Sequence, residues 1–211
     1  MLSLFLWMAC SPSAPPSPEA PTPSAVEGVP DGAGAEQEAD HAMAEVEAVA
    51  AAEAAAMSVA QAMRQRLQSA MSTAGPEGAV TACADEAQGL TALAVQGQRA
   101  RAGRSSLRLR NPSNQGPDWV QEWLREQGER PAEGVEGLSE AHVADGVVVG
   151  RRILPIPVEG VCLTCHGGPD EMASGVQAIV AERYPTDQAT GYAVGDLRGA
   201  LWAEVRLPVG R

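Results

Sequence analysis

The sequence predicts an α+β fold in which long helices come first and a small sheet follows. Residues 36–73 are rich in Ala, Glu, Gln and Met and contain neither Pro nor Gly, a composition that favours helix. The clearest strand-like segments come late in the chain, at 147–158 and 198–207. Helices followed by a separate group of strands are typical of α+β architecture.

The composition of the chain limits both its core and its partners. Aromatic residues make up 3 % of the 211 residues, and the single Phe lies at position 5. The core must therefore be built largely from Ala, Val and Leu, and it will be poor in bulk. A net charge of −12 argues against nucleic acid and against anionic membrane surfaces as binding partners.

The N-terminal region reads as a targeting segment followed by a linker. Residues 1–10 form a short apolar run that ends in Ala-Cys, which is similar to a lipoprotein signal peptide with Cys10 as the lipidated residue. An ordinary secretory signal or an uncleaved anchor is the alternative, although the run is too short to span a bilayer. Residues 11–35 are rich in Pro, Ser and Ala and predict a disordered tether. We therefore expect a domain at 36–211 that is exported to the periplasmic side of a bacterial membrane and anchored by lipid.

Two helices are predicted to begin this domain. Gly75 and Pro76 should end the helix over 36–73 and start a second one over 77–97. The first helix carries an apolar stripe at helical spacing that predicts packing, and the helix could also pair with a copy of itself in a homodimer. The stripe consists of Met43, Val46, Val49, Ala50, Met57, Ala60, Met63, Leu67 and Met71.

The middle of the chain predicts loops with one short helix. Residues 98–114 contain five arginines within twelve residues and indicate a solvated basic loop, with a turn at 111–114. A helix is expected over 119–127, and the Gly-, Glu- and Pro-rich stretch 128–144 is expected to be surface loop. Further on, Pro155 and Pro157 indicate an edge or an end of the strand over 151–158. A helix over 171–183 precedes the last strand.

The most specific motif is Cys162-Leu163-Thr164-Cys165-His166. Two thiols three positions apart, followed at once by a histidine, are typical of covalent attachment of a c-type haem. Each thiol would form a thioether with one vinyl group, and His166 would then coordinate the iron. Zinc would need a second Cys/His pair at suitable spacing, which the sequence lacks. The sequence therefore predicts one covalently bound haem c.

The second axial position is left open by the residues alone. Cys83 lies on the inward face of the helix over 77–97, where it is either a small buried hydrophobe or a thiolate ligand. Met172, His142 and a methionine of residues 43–71 are rival ligands. Arg104 and Arg110 are candidates for contacts with the haem propionates, since guanidinium groups match carboxylates well.

Several longer stretches resemble a family of c-haem domains that was long labelled a domain of unknown function. This family is typified by the cyanobacterial Tll-type haem protein and also occurs as a sensor module of membrane histidine kinases. The similarity covers about residues 40–208. It is carried by stretches at 79–83, 103–108, 110–114 (Arg-Asn-Pro-Ser-Asn), 161–168, 184–192 (beginning Tyr-Pro-Thr-Asp) and 195–200 (beginning Gly-Asp-Leu-Arg-Gly).

The resemblance implies a PAS-like antiparallel sheet, flanked by long N-terminal helices, around one c-type haem. It also implies histidine ligation by His166 on one side of the iron and thiolate ligation by Cys83 on the other. On this basis we expect a sensor of redox state or of diatomic gases. A small periplasmic electron-transfer cytochrome with a redox partner protein is the first alternative, and a haem peroxidase-like enzyme is the second. Both favoured functions are non-catalytic.

Overall fold

The computed structural model describes residues 32–209. The predicted signal segment at 1–10 and the predicted tether up to residue 31 lie outside the described residues. Within the described part the chain is α+β, with four α-helices and one four-stranded antiparallel sheet, so the predicted fold class is confirmed.

Helix α1 (Gly32–Ala94) dominates the N-terminal half and is interrupted at the predicted place. Gly75 has φ 63° and ψ −167°, which is not helical, and Pro76 then occupies the first turn of the second half. Proline is well suited to that position because the first N–H groups of a helix have no intrahelical partner. Within residues 32–209, no helix combines the length and the apolar character that a bilayer crossing needs.

The sheet is formed by β1 (Ala100–Ser105), β2 (Ser139–Ala144), β3 (Val147–Pro157) and β4 (Leu197–Pro208), in the order β1-β4-β3-β2. All three pairings are antiparallel. Pairing between β2 and β3 ends at Ser139↔Arg152, so Pro155 and Pro157 lie where β3 has no neighbour on its β2 side. The prediction of a strand edge at these prolines is therefore confirmed.

Two predictions of loop were wrong, because β1 lies within the expected basic loop and β2 within the expected surface loop. Strand β1 reads Ala-Arg-Ala-Gly-Arg-Ser and contains no β-branched or aromatic residue. Strand β2 contains one valine in six residues. Both segments become strands because they pair with β4 and β3, so tertiary pairing overrides weak local propensity.

Helix α1 packs on one face of the sheet mainly through alanines, and of the predicted stripe Ala60 and Met63 join this contact. Ala55, Ala56 and Val59 are fully buried against Leu201 and Ala203 of β4. Small side chains allow the helix axis to come close to the strands. Gly150 in β3 also allows this close approach, because a Cβ atom at that position would overlap the backbone of Ala48.

The prediction of a packed stripe was wrong for its N-terminal part and right for Ala60, Met63 and Met71, which are partly buried against core clusters. Met43, Val46 and Met57 are 65 %, 71 % and 51 % exposed, and they lie on the side of α1 that faces away from the sheet. Their long or branched side chains would hold the helix further from the strands than the alanine face does.

The other face of the sheet is covered by α2 (Asp118–Gln127), which the sequence predicted nearly to the residue. Val120, Trp123 and Leu124 pack against Ile153 and Trp202. Two shorter helices complete the fold and precede β4, namely α3 (Leu163–His166) and α4 (Ser174–Arg183). Strand β4 is thus buried on both faces.

Candidate functional site

The Cys-x-x-Cys-His segment follows directly from the end of β3. A short 3-10 turn (Gly160–Cys162) leads into α3, so the two cysteines fall one helical turn apart. Cys162 packs beside the cluster of Val158, Ala189 and Tyr192. Cys165 packs beside a second cluster that α4 and the second half of α1 build together, formed by Val80, Met172, Val176 and Val180.

The imidazole of His166 is held in one orientation by the loop before β4. Its Nδ1 lies 2.7 Å from the carbonyl oxygen of Ala189, so Nδ1 carries the proton and donates it to that oxygen. Tyr192 donates its backbone N–H to the carbonyl of His166, and the two rings meet edge-on at 6.4 Å. A fixed Nδ1–H leaves the Nε2 lone pair as the coordinating atom of the ring.

Burial, aided by the positive charges of Arg198 and Arg110, lowers the pKa of His166 to about 3. The ring is therefore neutral throughout the physiological pH range. A neutral imidazole with one protonated nitrogen is the form that binds a metal ion.

Arg110 ties the Cys-x-x-Cys-His segment to the loop at 187–190. Its Nε and Nη2 donate to Asp187 Oδ2 at 3.1 and 3.0 Å, and its Nη2 also donates to the carbonyls of Cys165 at 2.6 Å and Ala189 at 3.2 Å. The side chains of Arg110 and Asp187 are both about one-tenth exposed. These contacts favour a structural role for Arg110, and its predicted contact with a propionate stays a prediction.

The side chain of Arg104 lies in a different environment from that of Arg110. It projects from β1 on the face that α1 covers, its Nε atom is buried, and that atom has no hydrogen-bond partner. Burial lowers the pKa of its guanidinium group. A buried cation without a matching anion is unfavourable, so this side chain is suited to receive an anionic group.

Cys83 lies in the second half of α1, near both arginines. Burial raises the pKa of its thiol, and the guanidinium groups of Arg104 and Arg110 act in the opposite direction. Cys83 in turn acts on Cys165, whose pKa is also raised by burial. Among the described residues Cys83, Cys162 and Cys165 are all free thiols. The structure thus brings Cys83, both arginines and the Cys-x-x-Cys-His segment into one region.

The rival ligands are placed less favourably, with one exception. His142 lies in β2, the strand furthest from β1 in the sheet. Met43 and Met57 are exposed on the outer side of α1. Met172 is buried beside Cys165 and is the rival that the structure keeps close to the site.

Sequence reasoning did not identify Arg198 as a site residue. Its Nε is buried without a partner, and its guanidinium carbon lies 5.1 Å from the ring centroid of Tyr192, with that of Arg108 at 4.2 Å. A cavity of about 310 Å³ adjoins this stack and is also lined by Arg130. The Gly-Asp-Leu-Arg-Gly motif at 195–199 was the signal that could have pointed to it.

The fold and site define an α+β protein in which a Cys-x-x-Cys-His motif, a helix thiol and two arginines with buried, unpartnered Nε atoms converge. The chain belongs to the Tll0287-like family, whose model matches residues 35–208, and the family resemblance inferred from the sequence is confirmed. The crystal structure of the cyanobacterial haem protein Tll0287 is similar in fold, with a TM-score of 0.51 and 22 % sequence identity over 74 % of this chain and 92 % of that one. No curated protein sequence matched the chain.

Proposed function

We propose that this protein is an exported c-type haem protein that senses redox state or diatomic gases. Cys162 and Cys165 would hold one haem through thioether bonds, and His166 and Cys83 would be the axial ligands. Membership of the Tll0287-like family supports haem binding, since the solved protein that the chain resembles is a haem protein. The observation that carries the proposal is the neutral ring of His166, which comes immediately after the two thiols in the sequence. A hydrogen bond from its Nδ1 to the carbonyl oxygen of Ala189 fixes the ring's orientation.

The described residues fit this group in both charge and shape. Arg104 offers a buried Nε without a partner, which is complementary to a carboxylate such as a haem propionate. Val80, Met172 and Val176 form an apolar wall beside Cys165, and the two cysteines point toward separate apolar clusters. Iron porphyrin would supply a metal that changes valence and, at a vacated position, binds a diatomic gas.

Cys83 is the residue to which we assign the switch. Burial raises the pKa of its thiol and disfavours the thiolate, and the charges of Arg104 and Arg110 oppose this effect only in part. A more positive metal would favour the thiolate, and reduction would favour release of a neutral thiol. A Cys83 that binds the oxidised metal and leaves the reduced one would give the protein two states, as a sensor requires.

The position of Cys83 on α1 supports a sensor in which a change at this residue is passed on through the helix. Cys83 lies beyond the non-helical Gly75, on a helical half that packs back on the longer first half through Ala70, Ala79 and Ala82. The ion pair between Arg66 and Glu86 also joins the two halves, so a change at Cys83 would act on this helix–helix contact.

Electron transfer is the alternative that a specific observation favours. Met172 is buried beside Cys165, and a thioether ligand from it would give a higher reduction potential than a thiolate. Both functions use binding and electron exchange rather than catalysis.

Redox titration with and without carbon monoxide separates these functions. For a sensor we expect a midpoint potential well below zero and carbon monoxide binding on reduction. Replacement of Cys83 by Ser should raise the potential, whereas Met172→Leu should leave it unchanged. A potential well above zero that falls in Met172→Leu, with no binding of carbon monoxide, would instead establish an electron carrier.

We also propose that Cys10 anchors the chain to the periplasmic side of a bacterial membrane. The support is the apolar run that ends at Cys10, followed by a Pro-rich tether. Labelled palmitate should be incorporated into the chain in a bacterial host, and Cys10→Ala should abolish the label. Incorporation that persists in Cys10→Ala contradicts the anchor.

A further inference from the structure

A narrow apolar stripe runs along the side of α1 that faces away from the sheet. Its centre consists of Met43, Val46, Ala50, Ala54 and Met57, all of them exposed. At 3.6 residues per turn these positions fall within about 40° of Ala50 around the helix axis. A stripe of this width is characteristic of a helix–helix seam rather than of a helix packed on a sheet.

The stripe is not continuous with the core of the domain. Ala52, Ala55 and Val59, which pack on the sheet side, lie on the opposite side of the helix. Three side chains of the stripe, two methionines and a valine, are more than half exposed. An exposed row of apolar side chains, three of them large, in an acidic protein of this kind indicates a contact surface.

The order of residues in the stripe is symmetric about Ala50. Met43 and Met57 lie seven positions on either side of it, and Val46 and Ala54 lie four positions on either side. An antiparallel copy of the same helix, related by a two-fold axis at Ala50, would therefore place Met43 of one copy opposite Met57 of the other. Small residues at the crossing point allow helix axes to approach to about 8 Å.

The charges at the ends of the stripe follow the same symmetry. Glu36 and Arg64 lie fourteen positions on either side of Ala50, and both side chains are exposed. In the antiparallel arrangement each Glu36 meets an Arg64, and the contact occurs at both ends of a seam about 42 Å long at 1.5 Å per residue. In a parallel arrangement glutamate would face glutamate and arginine would face arginine.

We propose that the exposed stripe of α1 is the interface of an antiparallel, two-fold symmetric homodimer centred on Ala50. A self-complementary patch is what a two-fold interface requires, because each position meets its symmetry equivalent. The occupant is a second copy of this chain, selected by the palindromic apolar pattern and by the paired end charges. The proposal is independent of haem, since the described residues of the stripe lie across α1 from the sheet.

The first test replaces the residue on the two-fold axis. Sedimentation equilibrium of the haem-loaded, full-length chain should show a dimer, and Ala50→Glu should raise its dissociation constant by at least about tenfold, because two buried carboxylates then face each other. Ala92→Glu is the matched control, since Ala92 is also exposed on α1 but lies outside the stripe. It should leave the dissociation constant unchanged.

Charge reversal tests the orientation of the two helices. Glu36→Arg and Arg64→Glu should each weaken the dimer, and the double reversal should restore the affinity of the unaltered chain. Unchanged helix content and haem absorption would show that the variants are folded. The proposal is overturned by a chain that stays monomeric at every concentration, by an Ala50→Glu variant that dimerises normally, or by a double reversal that is weaker than either single one.

Discussion

Arg104 and Arg110 are close in sequence but lie in opposite electrostatic environments. Arg110 donates to Asp187 and to two backbone carbonyls, so its charge is balanced within the protein. Arg104 keeps a buried Nε atom without a partner. The first arginine therefore stabilises the protein by itself, whereas the second is complementary to an anion that the protein does not supply.

Replacement of each arginine by methionine should change the stability of the haem-free chain in opposite directions. Arg110→Met leaves Asp187 buried and unpaired, and we expect a loss of about 3 kcal/mol in the free energy of unfolding. Arg104→Met removes an unmatched buried charge, and we expect a gain of about 1 kcal/mol. Urea unfolding of protein made without haem maturation measures both changes. A large loss in Arg104→Met would show that the guanidinium is already satisfied without an anion.

For single residues, the sequence predicted candidate roles where the chemistry depends on neighbours in the chain. Cys162, Cys165 and His166 could be singled out as candidates because the roles predicted for them depend on spacing within five residues. The partnership of Arg110 with Asp187 could not, since 77 positions separate them and only the fold brings them together. For the same reason sequence reasoning missed Arg198.

Among the elements, α1 depends on a single residue for its change of direction. Gly75 has a positive φ that side chains other than glycine rarely adopt. Its break joins the half of α1 that covers the sheet to the half that carries Cys83. Local backbone freedom at one position therefore sets the placement of the candidate distal ligand.

Alanine at position 75 should destabilise the fold, and alanine at position 89 should stabilise it. Gly75→Ala forces a side chain into the left-handed region, with an expected loss of about 1–3 kcal/mol in the free energy of unfolding. Gly89 is exposed within the helix and has open space around it, so Gly89→Ala should gain about 0.5–1 kcal/mol. Denaturant unfolding of both variants provides the comparison. Equal effects at the two sites would contradict the special role of Gly75.

The elements that the sequence predicted are those with strong local signals. The long helix, its break, α2 and the two long strands follow from composition and from Gly and Pro positions. Strands β1 and β2 were missed because their residues favour no strand and their conformation is imposed by β4 and β3. The buried face of α1 was predicted only in part, because hydrophobicity marked the exposed Met43 and Met57 as well, whereas close packing on Gly150 selects alanine.

At the scale of the whole molecule, the described core is built mostly of small side chains, with Trp123 and Trp202 as its large members on the α2 side. Its largest fully buried residues are one leucine, one isoleucine and several valines, and α1 contributes mainly alanine. A covalently held porphyrin would add a large apolar body to such a core. We therefore expect the haem-loaded protein to be more stable than the haem-free chain.

Covalent attachment is tested by removing both thiols of the motif. In the matured wild-type protein haem should stay with the chain after extraction with acidified organic solvent and should be visible on a denaturing gel. The double variant Cys162→Ser/Cys165→Ser should lose all of it. Retention of haem by the double variant would show that these thiols are not the attachment points.

The proposed sensor function depends most on the ligation of one iron by His166 and Cys83, and the ferric absorption spectrum of the matured protein tests this ligation most directly. Cys83→Ser should shift the Soret and charge-transfer bands, because oxygen replaces sulfur at the distal position, whereas Met172→Leu should leave both bands in place. Bands that stay fixed in Cys83→Ser and move in Met172→Leu would contradict the proposed thiolate and transfer the distal position to Met172.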